Sequence, residues 1–198
     1  TARSYSQIRG ANERVRIGII GYGLIGRIHA RAFSGLDSAR ITAVSDAFKP
    51  RMDACKEFAP DLRMHADFRD LLADKEVDAV VVATPDHWHA LHTMMACAAG
   101  KDVLVEKPAH LFVREGEWMQ QAAARHKRVV QVGTQQRSGP HYHRAKELLR
   151  DGAIGRITSV QCDFFRNVMP GIGSPPDGEP QQDFDWNMHL GPAPLRPF

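Results

Sequence analysis

The amino-acid sequence predicts an α/β fold built on a doubly wound parallel sheet, and three features carry that expectation. Short β-branched runs alternate with helical stretches of roughly ten residues, the crossover that each parallel strand requires. A glycine-rich turn, Gly21-Tyr22-Gly23-Leu24-Ile25-Gly26, joins the first run to the first helix. An acid, Asp46, closes the second run.

Taken in order, residues 1–13 read as an irregular arm. Val15-Arg16-Ile17-Gly18-Ile19-Ile20 is a β-branched run ending at Gly21, as a buried strand does. A helix is expected over 25–33, with Gly35 as its stop, and a second strand over 41–45. Residues 50–58 look helical, with Pro50 in the first turn and Pro60 beyond the end. Asp67 stands where an N-cap belongs, ahead of Phe68, Leu71 and Leu72. Residues 77–83 form the strongest strand signal. A helix over 88–99 closes on Gly100, and a strand follows over 102–105. A helix over 114–126 leads to a strand at 129–132, and a helix over 141–150 closes on Gly152. Residues 157–165 read as a further strand, and the Pro- and Gly-rich stretch 166–183 as a loop.

The 198 residues suffice for one sizeable domain, or for one domain and part of another. With 43% hydrophobic and 25% charged residues the chain has a globular balance. A net charge of +3, with the basic residues scattered, argues against a nucleic-acid partner. Cys55, Cys97 and Cys162 are far apart and suggest neither a zinc knuckle nor a disulfide framework. No apolar stretch approaches the roughly 20 residues of a membrane span, so no membrane partner is expected. Residues 1–14 lack the apolar centre of a signal peptide.

A lone GxGxxG is a weak signal, but one that follows a strand and opens a helix has the context its mechanism needs. Gly21 permits the turn, Gly23 lets backbone amides approach a diphosphate, and Gly26 lets helix pack on strand. This is the Rossmann dinucleotide fingerprint. Asp46, 20 residues after Gly26, is placed to accept the ribose hydroxyls. A carboxylate repels a 2′-phosphate, which favours NAD over NADP. Lys49 and Arg51 could each reach such a phosphate, so NADP stays open.

Ala83-Thr84-Pro85-Asp86-His87-Trp88-His89 ends the strongest strand, on the rim where open parallel sheets bind ligands. His87, His89 and His92 fall within six residues, yet no carboxylate or cysteine cluster completes a metal shell, and no metal is expected. His89 reads as a donor into the pocket, and His92 as a helix residue with no special task.

Glu106-Lys107-Pro108 follows the next strand on the same rim. A lysine there, partly desolvated, would have a lowered pKa and hydrogen-bond the hydroxyl that loses hydride. By itself a Lys before Pro is an ordinary solvated loop residue; its spacing from Thr84 through one helix raises it above that. Gly133-Thr134-Gln135-Gln136-Arg137 offers amide and guanidinium donors, or is simply a polar loop. His141 and His143 read as surface or packing residues. Trp186, after Asp185, either covers a nicotinamide or sugar face or anchors its loop.

Together these segments resemble the glucose-fructose oxidoreductase and inositol dehydrogenase (Gfo/Idh/MocA) family. The matching residues are GYGLIG (21–26), ATPDHWH (83–89), EKP (106–108), GTQQRS (133–138) and DWNMHLGPAP (185–194), an ordered set over residues 14–198. The resemblance implies a dinucleotide-binding domain over 14–134 and, over 135–198, the beginning of a substrate domain with a mainly antiparallel sheet. It implies hydride transfer between a nicotinamide and a hydroxyl of a sugar or polyol.

Carried over by position, Gly21, Tyr22, Gly23, Leu24, Ile25, Gly26 and Asp46 hold the cofactor, as do Thr84, Pro85, His89, Glu106, Lys107, Gln135 and Trp186. Lys107 and His89 are the catalytic candidates. The start SYSQIRGANERVRIG is similar to exported members that follow a twin-arginine signal, with a cytoplasmic location as the alternative. Relatives run well beyond 300 residues and carry a catalytic Asp and His in the second domain, so truncation within that domain is expected. His189 stands where many relatives have a second Trp.

Two alternatives remain beside the dehydrogenase: a glycoside-cleaving enzyme that uses NAD transiently, and a cofactor-binding module without catalysis. A strand at 157–165 with an unpaired edge would favour a homo-oligomer or pairing with another chain.

Overall fold

The structure is a computed structural model that describes residues 14–163, 173 and 176–198. The chain divides into two compact units. One contains residues through Gly133 together with 180–196 and Phe198; the other spans 134–179. Residues 180–196, which the family resemblance groups with the second domain, fall in the first unit.

The first unit holds a six-stranded sheet in the order β3-β2-β1-β4-β5-β6. Its strands are β1 Val15–Ile20, β2 Ala39–Ser45, β3 Arg63–His65, β4 Ala79–Val82, β5 Asp102–Val105 and β6 Val130–Val132. All five strand pairings are parallel. The helices of this unit are α1 Leu24–Ser34, α2 Lys49–Cys55, α3 Phe68–Ala73, α4 His89–Ala98 and α5 Val113–His126, with α7 Trp186–Leu190 in the returning segment. The second unit contributes α6 Pro140–Arg150 and a 3-10 turn at Gln135–Ser138.

Side chains of a strand alternate between faces, and here both faces are covered. Ile17, Ile19 and Val81 pack with Ala30, Met52 and Cys55 of α1 and α2. Ile20, Val80 and Val82 pack on the opposite side with Leu71, Leu72, Ala96, Cys97 and Met119. This two-sided burial explains why β1 and β4 are apolar at nearly every position.

Among the described residues, the expected helices and the expected strands up to 132 appear in the expected order, with ends shifted by a few residues. Asp67 caps α3 by accepting from Arg69 N at 2.8 Å. Two elements were not legible beforehand. β3 is a three-residue edge strand, Arg-Met-His, whose pattern is too short to read. α7 is capped by Asp185, which accepts from Met188 N at 2.8 Å, a signal submerged in a turn-rich stretch.

One expected element is absent. Residues 157–163 form no strand, and 164–165 lie outside the described residues. The side chains of 157–163 are exposed, so the apolar burial that would stabilise a strand there is missing.

Candidate functional site

The strand order reverses between β2 and β4, on either side of β1, and opens a crevice at the carboxyl ends of these strands. A cavity of about 300 Å³ lies there. Its lining includes Gly21 and Gly23 of the turn, Ser45, Asp46 and Ala47 after β2, and Ala83, Thr84 and Pro85 after β4.

The glycines occupy the turn for separate steric reasons. Gly21 has φ +88°, and a Cβ there would lie 2.7 Å from Ala83 O. A Cβ on Gly26 would lie 2.1 Å from Gly21 O, so α1 could not approach the turn as it does. Gly23 differs: its nearest neighbour would be Arg51 Nη1 at 4.0 Å. No protein atom demands glycine at this position, and the open space beside it suits an incoming diphosphate. Gly23 is also the N-cap of α1 and supplies no capping side chain, which leaves the first-turn amides for an anion.

Asp46 is buried and held from two sides. Its Oδ2 accepts from Tyr22 N at 2.6 Å and its Oδ1 from Phe48 N at 2.8 Å. Arg51 Nη1 approaches Oδ1 at 3.8 Å while its side chain stays half exposed. The Tyr22 side chain, 1% exposed, belongs to the core, and burial raises its hydroxyl pKa. Tyr22 therefore serves the turn through its backbone. Leu24, in contrast, is 77% exposed at the start of α1.

The rim after β4 brings Thr84 and Pro85 to the cavity as expected. His89 does something else. It is 1% exposed, its Nδ1 lies 2.6 Å from Pro108 O, and its Nε2 lies 2.9 Å from Thr84 O. Both ring nitrogens thus face main-chain carbonyls, and whichever carries the proton donates to one of them. The expectation of a donor aimed into the pocket is corrected: His89 clasps the loop after β4 to the loop after β5.

Glu106 is also turned inward. Its Oε1 is 2.8 Å from His29 Nε2 on α1, and its Oε2 accepts from Lys107 N at 3.2 Å. Glu106 sits at the end of β5 but faces His29. This pairing spans 77 positions, and no spacing rule announces it. Lys107 itself is exposed, which corrects the expected partial desolvation. Its backbone is nonetheless fixed between buried Glu106 and the carbonyl that Pro108 gives to His89.

The returning segment covers the β2 side of the crevice. Lys49 N donates to Asp183 O at 3.1 Å, and Asp185 N donates to Ala47 O at 2.7 Å. Met188 and His189 then line the cavity. Trp186 does not; it stacks on His189 at 15° with ring centroids 5.3 Å apart and donates to Arg196 O. Of the two roles expected for Trp186, these contacts are those of a loop anchor, and the ring also backs His189. Burial and the nearby His87 and Arg51 lower the His189 pKa.

Gln135 lies in the second unit, exposed, at the start of its 3-10 turn. Among the described residues no group of three or more His, Cys, Asp or Glu could hold a metal ion.

A central parallel sheet, a glycine turn opening onto bare helix amides and a buried acid at the end of the second strand together define a dinucleotide-binding domain of the Rossmann type. Residues 15–134 match the model of the Gfo/Idh/MocA oxidoreductase family, with its NAD-binding Rossmann fold, and the chain belongs to that family.

The chain is similar to inositol 2-dehydrogenase 1 of Saccharopolyspora erythraea, with 40% identity over 79% of this chain and 50% of that protein. It is similar to inositol 2-dehydrogenase of Rhizobium meliloti at 34% identity over 74% of this chain and 44% of the relative. A similar solved structure is scyllo-inositol dehydrogenase from Lactobacillus casei with bound NAD(H) and scyllo-inositol. It has TM-score 0.68 and 32% identity, covering 74% of this chain and 44% of that one. The chain thus spans about half the length of the relatives it matches.

Proposed function

We propose that this chain is the cofactor-binding part of an NAD-dependent dehydrogenase acting on a cyclic polyol of the inositol class. The observation that carries the cofactor half is Asp46, a buried carboxylate fixed by two backbone amides beside the open face of Gly23. The residues present fit the dinucleotide. Amides at the start of α1 would take the diphosphate, Asp46 the ribose hydroxyls, and Thr84 and Pro85 the wall of the slot. A 2′-phosphate would meet the Asp46 charge, which supports NAD over NADP. The polyol half rests on what the relatives are named for, which also favours a dehydrogenase over a glycoside-cleaving enzyme.

When bound, the nicotinamide supplies a hydride acceptor. The chain's own part is to hold the reacting hydroxyl and receive its proton, and we assign that contact to Lys107 on the rim after β5. His89 and Glu106 act through Lys107 by fixing the loop from both sides.

The test is cofactor preference together with turnover. Calorimetric titration should show NAD binding more tightly than NADP, and Asp46→Ala should lose NAD affinity while gaining relative affinity for NADP. Wild-type preference for NADP would overturn the assignment of Asp46. In the full-length enzyme, inositols should reduce NAD, and Lys107→Ala should lower turnover with NAD binding retained. Unchanged turnover in that variant would remove Lys107 from the mechanism.

A further inference from the structure

We propose that His92 recognises the adenine edge of the dinucleotide, with its Nε2 hydrogen-bonded to the base. The residue is 2% exposed, yet it lines the cavity at the carboxyl ends of the strands. Its surroundings account for most of the ring. Trp88 stacks on it at 8° with centroids 4.4 Å apart, and Phe68 packs edge-on at 4.3 Å. Nδ1 lies 3.2 Å from Thr84 Oγ1. Nε2 has no hydrogen-bond partner among the described residues.

An unpaired buried polar atom costs about 1–3 kcal/mol. Such an atom in a native site calls for a partner, and the cavity that His92 lines is where that partner would come from. The cavity lining combines the Asp46 carboxylate with the apolar side chains of Ala66, Phe68, Ala83, Pro85 and Trp88. A ribose held at Asp46 would set its base among those apolar side chains. A purine suits them, being flat and apolar on its faces and polar along its rim. The adenine rim offers both an amino donor and ring-nitrogen acceptors, so either tautomer of His92 finds its complement. Burial also keeps the imidazole neutral, its pKa pushed down to about 3. The contact is therefore a neutral hydrogen bond that does not depend on pH near neutrality.

This inference rests on the NAD reading, and the experiment separates the two. ADP-ribose and nicotinamide mononucleotide, the two halves of the cofactor, are titrated calorimetrically into wild type, His92→Leu and His92→Gln. Expected is a roughly tenfold or greater loss of ADP-ribose affinity in His92→Leu, the equivalent of one hydrogen bond. His92→Gln, with an amide able to donate or accept, should recover most of it. Nicotinamide mononucleotide should bind all three alike. Equal ADP-ribose affinity in wild type and His92→Leu overturns the proposal, as does an equal loss for both halves. Wild type that fails to bind ADP-ribose overturns the NAD reading as well. A measurement on wild type alone guards against a variant that does not fold. The His92 Nε2 nitrogen resonance should shift on saturation with ADP-ribose and stay put with nicotinamide mononucleotide; an unmoved resonance with ADP-ribose sinks the idea.

Discussion

Helices α1 and α6 are each eleven residues long and amphipathic, yet they are held in place by different means. α1 buries Gly26 and Ala30 against the sheet, and its first turn is tied to β1 by the close contact at Gly26. α6 has no buried residue, and Tyr142, Leu148 and Leu149 stand 44%, 41% and 46% exposed. Local pattern is enough to specify a helix in both places. Burial alone decides where a helix sits, because most helical stability in a protein comes from packing of its apolar face.

The contrast is sharpened first by acid. His92 has a folded pKa near 3, well below its ordinary value of 6.5. The folded state thus binds fewer protons than the unfolded one below pH 6.5. Stability contributed by neutral His92 is complete above that pH and is lost as pH falls toward 3, at up to about 1.4 kcal/mol per unit. Denaturant melts of the sheet unit should show this slope, and His92→Gln should flatten it. Identical pH profiles would mean that burial of the imidazole carries no such penalty.

The next largest effect is expected from Leu71→Ala in α3. Leu71 is wholly buried, within reach of Gly18 on β1, and its truncation should destabilise by about 2–5 kcal/mol. A loss under 1 kcal/mol would show that the core collapses around the gap. Smallest is Leu149→Asn in α6, where exposure predicts a change within about 0.5 kcal/mol. If it matches Leu71→Ala in size, the comparison between the two units fails.

Much of the site could be read from single positions. The glycine turn, Asp46, Thr84 and Pro85 each follow a strand end, and strand ends are visible as the close of a β-branched run. What escaped was reciprocal contact between distant segments. His89 carries the residue type of a pocket donor, but its two partners are backbone carbonyls that no side-chain pattern reveals. His92 looked idle because its use depends on Trp88, Phe68 and the cavity wall converging on it. His189 rather than Trp186 lines the crevice, since the return of residues 183–189 to the end of β2 decides which ring faces it.

The sequence by itself determined the order of strands and helices, the glycine turn and the acid that follows it. Those depend on period, chain geometry and steric freedom, which act between near neighbours. Only the tertiary structure decided which polar groups face the cavity and which are consumed in holding its walls. Hydrogen bonds and burial are settled between segments as far apart as Glu106 and His29, or Trp88 and His189, and a one-dimensional pattern does not encode their meeting.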